Sequence, residues 1–175
     1  MKAYFKTKSL LLIFMVSVIL LTGCVSGSNG SISGGDTHIS TSYTCEKPED
    51  WQQIDSDSED RVTYINENES SISVFQQKLS SASLSGAAYE AQNMLTFNFS
   101  EIEFIGDPAD IIIDSKNAKI LEFSMAISTP EKYRQYIIKV LNVYYIIQYK
   151  SPIDTFDKDL PVIEEFVKGI KFNDR

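Results

Sequence analysis

Thiols, imidazoles and clustered carboxylates are the side chains with which this chain could do chemistry. The 175 residues include two cysteines and one histidine, which are Cys24, Cys45 and His38. A zinc site takes three or four Cys, His or acidic ligands, and a serine or cysteine nucleophile needs a base beside it. Because His38 lies in a Gly/Ser-rich segment, the sequence favours neither chemistry. We expect no catalytic residue, no cofactor and no resident metal.

Acidic residues offer two alternatives. A calcium loop would use the alternating carboxylates that precede the first clear strand, but an EF-hand also needs Gly at the sixth position and Glu at the twelfth. The residues there are Asp60 and Asn66, so we interpret the run as a solvated turn and keep weak calcium binding as the alternative: Asp55, Asp57, Glu59 and Asp60. Two acids across a cleft would instead make a glycoside-type hydrolase, with these candidates: Glu101, Glu103, Asp107, Asp110 and Glu122.

Tyrosines on neighbouring predicted strands are the remaining candidates for a binding site. Alternate rings on adjacent strands would line a groove for a sugar or a peptide, although tyrosines are commonly core residues whose hydroxyls reach the rim. Both interpretations stay open. The residues that such a groove would use are Tyr133, Tyr136, Tyr145 and Tyr149, with Tyr144 on the same strand pair.

Cys24 lies directly after an apolar run. Residues 1–8 carry three lysines and no acid, and residues 10–21 are apolar except for Ser17. This run is shorter than the ~20 residues that a spanning helix needs, and it is typical of a signal peptide. The sequence Leu21-Thr22-Gly23-Cys24 resembles the bacterial lipobox. The resemblance implies diacylglycerol transfer to the Cys24 sulfur and cleavage between Gly23 and Cys24. An ordinary secretory signal is the alternative.

The chain after Cys24 divides into a tether and a domain. Residues 25–44 are rich in Gly, Ser and Thr, which predicts a flexible linker. We therefore expect a signal peptide at 1–23, the lipidated cysteine with its tether at 24–44, and one domain at 45–175. Cleavage would remove three of the 16 basic residues and none of the 24 acidic ones, leaving a net charge of −11. This charge argues against nucleic acid as a partner.

Apolar periodicity in residues 45–175 predicts antiparallel strands and two helices. One helix begins at about Ser85, with Ser85 as its N-cap. The second lies within residues 154–172, with Asp159 as the cap, Pro161 in the first turn and Gly169 at the end. This order indicates an α+β fold. The predicted strands are 61–65, 72–79, 102–105, 110–113, 118–128, 133–141 and 143–150.

The domain resembles the PsbP-like family of small α/β/α sandwiches. The matching features are the Pro48-x-x-Trp51 opening, the stretch VTYINENESSISVFQQ, the single helix, the meander ending VYYIIQYKSP, and the terminus FDKDLPVIEEFVKGIKF. The resemblance implies an antiparallel β-sheet sandwiched by helices, and a binding or accessory module more than an enzyme. Because fold alone does not fix function, the activity must be argued from a site.

Together these features predict a lipoprotein on the extracytoplasmic face of the cell membrane, held there by lipid at Cys24. Our leading hypothesis is a non-catalytic module that binds another protein at the cell surface. The alternative is a surface lipoprotein that binds a small ligand or calcium, and a third hypothesis is the carboxylate-dependent hydrolase.

Overall fold

The structure is a computed structural model that describes residues 37–39, 42–56, 58, 60–126 and 129–173. They belong to the unit Gly35–Arg175; the signal-peptide region, Cys24, Asp57 and Glu59 lie outside the described residues. The helices there are α1 (Leu84–Asn98) and α2 (Ile153–Gly169). The strands are β1 (Thr37–Ile39), β2 (Tyr43–Glu46), β3 (Gln52–Ile54), β4 (Val62–Ile65), β5 (Ser71–Gln77), β6 (Ile102–Phe104), β7 (Ala109–Ile113), β8 (Lys116–Met125), β9 (Glu131–Val140), β10 (Val143–Pro152) and β11 (Lys171–Phe172).

The strands form a small and a large sheet. The small sheet has the order β1-β2-β11, and the large sheet has the order β3-β4-β5-β10-β9-β8-β6, with β7 also pairing with β8. Every pairing is antiparallel. The near-continuous apolar runs of β9 and β10 predict central strands covered on both faces, and their central position and burial confirm this.

The two helices cover opposite faces of the large sheet. Successive side chains of a strand point to opposite faces. In β9, Tyr136 and Ile138 belong to the core beneath α2, whereas Ile137 packs beneath α1 with Ala88 and Ala91. The predicted α+β class, an antiparallel sheet between helices, is therefore confirmed. Neither helix in the described part of the chain has the length and apolar character that crossing a bilayer requires.

The domain begins earlier in the chain than the sequence predicts. The tether was expected to run to Thr44, yet β1 and β2 lie largely within it, and Tyr43 is fully buried. In β2, Tyr43 and Cys45 point into the core while Glu46 is exposed. This alternation covers only four residues and follows a Gly-, Ser- and Thr-rich segment, so the sequence pattern does not predict a strand there. The boundary between tether and domain is therefore at or before Thr37.

Both helices begin before their predicted caps. The N-cap of α1 is Ser83, whose Oγ accepts a hydrogen bond from the Gly86 N–H, so Ser85 is not the cap. The second helix starts directly after Pro152, which places Pro161 inside it. Asp159 consequently caps nothing, and its Oδ2 accepts a 2.9 Å hydrogen bond from Asn66 Nδ2. The predicted end at Gly169 is confirmed.

The turn between β7 and β8, in the large sheet, contacts strand β11 of the small sheet. It consists of Asp114 and Ser115, both with positive φ, and is tighter than the four-residue connection that the predicted strands 110–113 and 118–128 leave between them. Asp114 Oδ2 accepts a 2.9 Å hydrogen bond from the Phe172 N–H, and its Oδ1 lies 3.3 Å from Lys171 Nζ. A single carboxylate thus ties β11 to this turn.

Candidate functional site

The outward side of α1 carries three large apolar side chains exposed to solvent. The exposed fractions are 90% for Phe97, 53% for Tyr89 and 36% for Met94. Residues three and four apart are neighbours on a helix surface, so Asn93 bridges Tyr89 and Phe97, and Met94 adjoins Phe97. We call Tyr89, Asn93, Met94 and Phe97 the α1 outer face. Aromatic residues and Met are enriched at protein interfaces.

The α1 outer face has no charge of its own. Glu90 is the one charged residue of Leu84–Asn98, and its carboxylate accepts hydrogen bonds from the backbone of Ser80 and Ser81 at 2.9–3.0 Å. These bonds lower the pKa of Glu90. The solvent side of α2 is different, because that helix carries seven charged residues: Asp154, Asp157, Lys158, Asp159, Glu164, Glu165 and Lys168. Depletion of charge with enrichment in aromatic residues is the composition of an interface centre.

Close packing fixes α1 on the sheet. Three alanines form its buried side, Ala87, Ala88 and Ala91, and they pack with Ile137 and Ile146. The loop before the helix is held by Tyr144, whose hydroxyl donates to Ser81 O at 2.8 Å, and by Lys139 Nζ, which donates to Ala82 O at 2.8 Å. Small residues let the helix backbone approach the sheet, so the α1 outer face is presented on a rigid element.

A cation lies on the side of α1 that faces β5. The Arg61 Cζ is 4.6 Å from the centre of the Phe75 ring, and Phe75 packs against the apolar cluster beneath α1. Burial lowers the pKa of Arg61. Further along β5, Gln77 Nε2 lies 3.8 Å from Met94 Sδ. The Arg61 guanidinium, the Phe75 ring and α1 therefore lie next to one another on this face of the sheet.

An open cleft lies at the beginning of α1. Its volume is about 570 Å³, and its polar lining includes Ser83, Ser85, Asp110, Asn117 and Lys119. Lys119 Nζ lies 2.8 Å from Asp110 Oδ1, so the charges of the cleft neutralise each other.

The carboxylates proposed for a hydrolase are spread over the sheet. Asp110 pairs with Lys119, and Glu122 binds the Arg134 guanidinium and lies 3.6 Å from Lys132 Nζ. Lys119 and Glu122 point to opposite faces of β8, so Asp110 and Glu122 do not face a common cleft. The other three candidates are exposed: Glu101, Glu103 and Asp107.

The four tyrosines proposed for a groove are buried and divided between the two faces of the sheet. Tyr136, Tyr145 and Tyr149 belong to the core beneath α2, and Tyr149 donates a 2.9 Å hydrogen bond to Phe156 O. Burial raises the pKa of Tyr149 to about 12. Tyr133 lies on the other side, stacked on Phe123 with ring centres 4.8 Å apart. The structure therefore gives these rings a packing role and does not bring the four into a common groove.

The calcium, metal and thiol sites suggested by residue type are the remaining candidates. Asp57 and Glu59 of the calcium candidate lie outside the described residues, and the described part of the chain holds no group of three metal-binding side chains. β1 places His38 opposite Cys45 in the strand register. The Cys45 thiol is buried with its Sγ 3.9 Å from Tyr64 Oη, and burial raises its pKa to about 12. A thiol that stays protonated is a poor nucleophile.

Sequence reasoning missed the α1 outer face and Arg61. It used the buried side of α1, with Leu84, Ala88, Ala91 and Leu95, to predict the helix. The sequence did contain a signal for this surface. Residues 84–98 hold a single charged residue, although 23% of the residues in the chain are charged.

Comparison with known proteins identifies the fold. No family model matches the chain, and no curated protein matches it. Among solved structures, cyanobacterial PsbP (CyanoP) from Synechocystis superposes with a TM-score of 0.60 at 13% identity, covering 84% of this chain and 98% of that one. The chain therefore has a PsbP-like fold, as its sequence motifs suggest.

Two other structures share the fold at 10% identity. The Saccharomyces cerevisiae Ran-binding protein Mog1p has a TM-score of 0.54 and covers 74% of this chain and 89% of its own. LpqN, involved in cell envelope biogenesis of Mycobacterium tuberculosis, has a TM-score of 0.51 and covers 75% of this chain and 83% of its own. At these identities the similarity establishes the architecture alone.

Proposed function

We propose that this chain is an extracytoplasmic lipoprotein whose domain binds another protein through the α1 outer face, without catalysing a reaction. One observation carries the binding half of the proposal. Tyr89, Met94 and Phe97 are exposed together on a helix whose one carboxylate, that of Glu90, is bound to its own loop. A partner that covers these side chains removes apolar surface from water without stripping a charge of its hydration.

The anchoring half rests on residues 21–24. The lipobox-like sequence makes Cys24 the site of acylation, and two acyl chains hold a protein on a bilayer where one would not. Residues 25–36, which precede β1, have the composition of a flexible linker, for which we expect an r.m.s. span of ~20 Å. The domain would then work next to the membrane surface.

The structural neighbours give this proposal a precedent. Mog1p is described as Ran-binding, and LpqN is described as involved in cell envelope biogenesis. A PsbP-like domain can thus serve as a protein-binding module. The neighbours do not identify the partner of this chain, so its chemistry must be inferred from the α1 outer face.

The binding half is tested by affinity purification of the full chain from crosslinked membranes of the cells that produce it. The variant Phe97→Ser removes the most exposed apolar side chain of α1, and Val162→Ser is the matched control on the outer side of α2, where Val162 is 41% exposed. We expect one protein to be enriched by the wild type and by the Val162 variant, and lost with the Phe97 variant. Equal enrichment by all three forms would refute binding through α1.

A further inference from the structure

The guanidinium of Arg61 has no ion-pair partner among the described residues. Its Nε is buried and has no hydrogen-bond partner, and no carboxylate in the described part of the chain forms an ion pair with it. Its Cζ lies 4.6 Å from the centre of the Phe75 ring. This cation is therefore partly removed from water, and in the described part of the chain no anion replaces the lost hydration.

Such an arrangement is unexpected in a chain with 24 acidic and 16 basic residues. Arg134, the comparable arginine on the other face of the sheet, binds Glu122 and lies 3.5 Å from Glu164. A partly buried charge costs free energy unless it is paired. Arg61 therefore gains more than a solvated arginine would when a carboxylate from outside the chain reaches it.

The position of Arg61 connects it to the α1 outer face. Phe75 and Gln77 point to the same side of β5, because alternate residues of a strand share a face. Arg61 covers Phe75, and Gln77 contacts Met94 at 3.8 Å. A partner that lies on Met94 and Phe97 and extends towards β5 reaches the guanidinium.

We propose that Arg61 binds an Asp or Glu carboxylate of the protein that covers the α1 outer face. The inference rests on the proposed function and adds to it the chemistry of the partner, which is an apolar patch with an acidic residue at its edge. A guanidinium binds a carboxylate through two parallel hydrogen bonds. Stacking on Phe75 already restricts the side chain, so little conformational freedom is lost on binding. Arginine is, with the aromatic residues, enriched among the residues that dominate interface energetics.

A site-specific photocrosslink tests this inference. Phe97 is replaced by the photoreactive analogue p-benzoylphenylalanine in the full-length, lipidated chain, and adduct formation is measured in native membranes. The variants are Arg61→Gln, which removes the charge, and Arg61→Lys, which keeps the charge but not the planar fork. Lys78→Gln is the control, because it removes an equal charge from an exposed residue next to β5. Melting temperatures of the purified variants identify any loss of folding.

We expect the adduct yield to fall at least about tenfold in Arg61→Gln, as for an arginine that anchors an interface, to fall less in Arg61→Lys, and to be unchanged in Lys78→Gln. The adduct also identifies the partner's contact peptide. Replacing its Asp or Glu by Lys should restore the adduct with Arg61→Glu, which a merely structural role of Arg61 would not do.

The outcomes separate this inference from the proposed function. A wild-type adduct that persists in Arg61→Gln, or that falls equally in Lys78→Gln, overturns the role of Arg61 and leaves binding through α1 intact. Failure of the charge exchange to restore an adduct lost in Arg61→Gln also overturns it. No adduct from the wild type at Phe97 contradicts both proposals.

Discussion

At the scale of single residues, the carboxylate of Asp114 is the clearest electrostatic contact between the two sheets. Burial opposes its ionisation, but the hydrogen bond from the Phe172 N–H and the Lys171 ammonium together lower the pKa of Asp114. A lowered folded-state pKa means that the carboxylate stabilises the fold above its unfolded-state pKa. That contribution is lost as the pH falls through the folded-state pKa.

Replacing this carboxylate by an amide should destabilise the domain at neutral pH. We expect Asp114→Asn to lower the free energy of unfolding by about 1 kcal/mol, because the hydrogen bond from Phe172 then loses its charged acceptor. Asn tolerates the positive φ at this position. Asp110→Asn is the control, since its side chain is 83% exposed in a surface ion pair. Urea titrations at neutral and acidic pH measure the effect, and a difference that did not shrink on acidification would contradict the assignment.

The Cys45 thiol should be unreactive in the folded chain. Its pKa of about 12 leaves almost no thiolate at neutral pH, and its side chain is buried beside Tyr64. We expect iodoacetamide at pH 8 to leave Cys45 unmodified in native protein and to alkylate it in urea, as measured by intact mass. Rapid alkylation of the native protein would show that β2 opens or is placed differently.

At the scale of elements, Ser83 is the residue that starts α1. Its Oγ accepts from the Gly86 N–H at 3.0 Å, and loss of such a cap costs ~1 kcal/mol. We expect Ser83→Ala to lower the free energy of unfolding by that amount. Ser85→Ala, inside the first turn, should change it by less than about 0.5 kcal/mol. Chemical denaturation of the two variants compares them, and equal losses would contradict the cap.

The elements also show what sequence patterns can predict. The long runs of β9 and β10 predict central strands, because a strand covered on both faces must be apolar throughout. The stripe Phe156, Ile163 and Val167 likewise predicts α2. The predicted starts of both helices were wrong. Ser85, two residues after the true cap Ser83, fits the N-cap preference equally well. Pro161, which lies inside α2, fits the preference of proline for a first turn equally well. Only tertiary contacts, such as that of Asp159 with Asn66, decide between them.

The proposed binding surface was harder to predict than the fold. Burial dictates residue type strongly, whereas an exposed position such as Phe97 accepts many residue types without loss of stability. Among the tyrosines, alternation already places Tyr133 and Tyr136, three residues apart on β9, on opposite faces. It cannot show which residues of β10 share the face of Tyr136, because that depends on the register between the two strands. Arg61 also gave no signal, since pairing with a carboxylate depends on contacts between elements distant in sequence.

At the scale of the whole molecule, the lipid anchor is a prediction of residues 21–24. We expect the full chain to incorporate labelled palmitate and to sediment with membranes, and Cys24→Ala to lose both, because no acyl chain is then attached. Cys45→Ala is the matched control and should keep both. Labelling that survives in Cys24→Ala would refute the anchor without affecting the α1 outer face.

The proposed function requires that a protein covers the α1 outer face in the cell. Hydroxyl-radical footprinting of the full chain measures this directly, by comparing the oxidation of each side chain in intact cells with that in the purified protein. We expect oxidation of Tyr89, Met94 and Phe97 to fall severalfold in cells, while that of Val162 on α2 is unchanged. Equal oxidation of Phe97 in the two samples would contradict the claim.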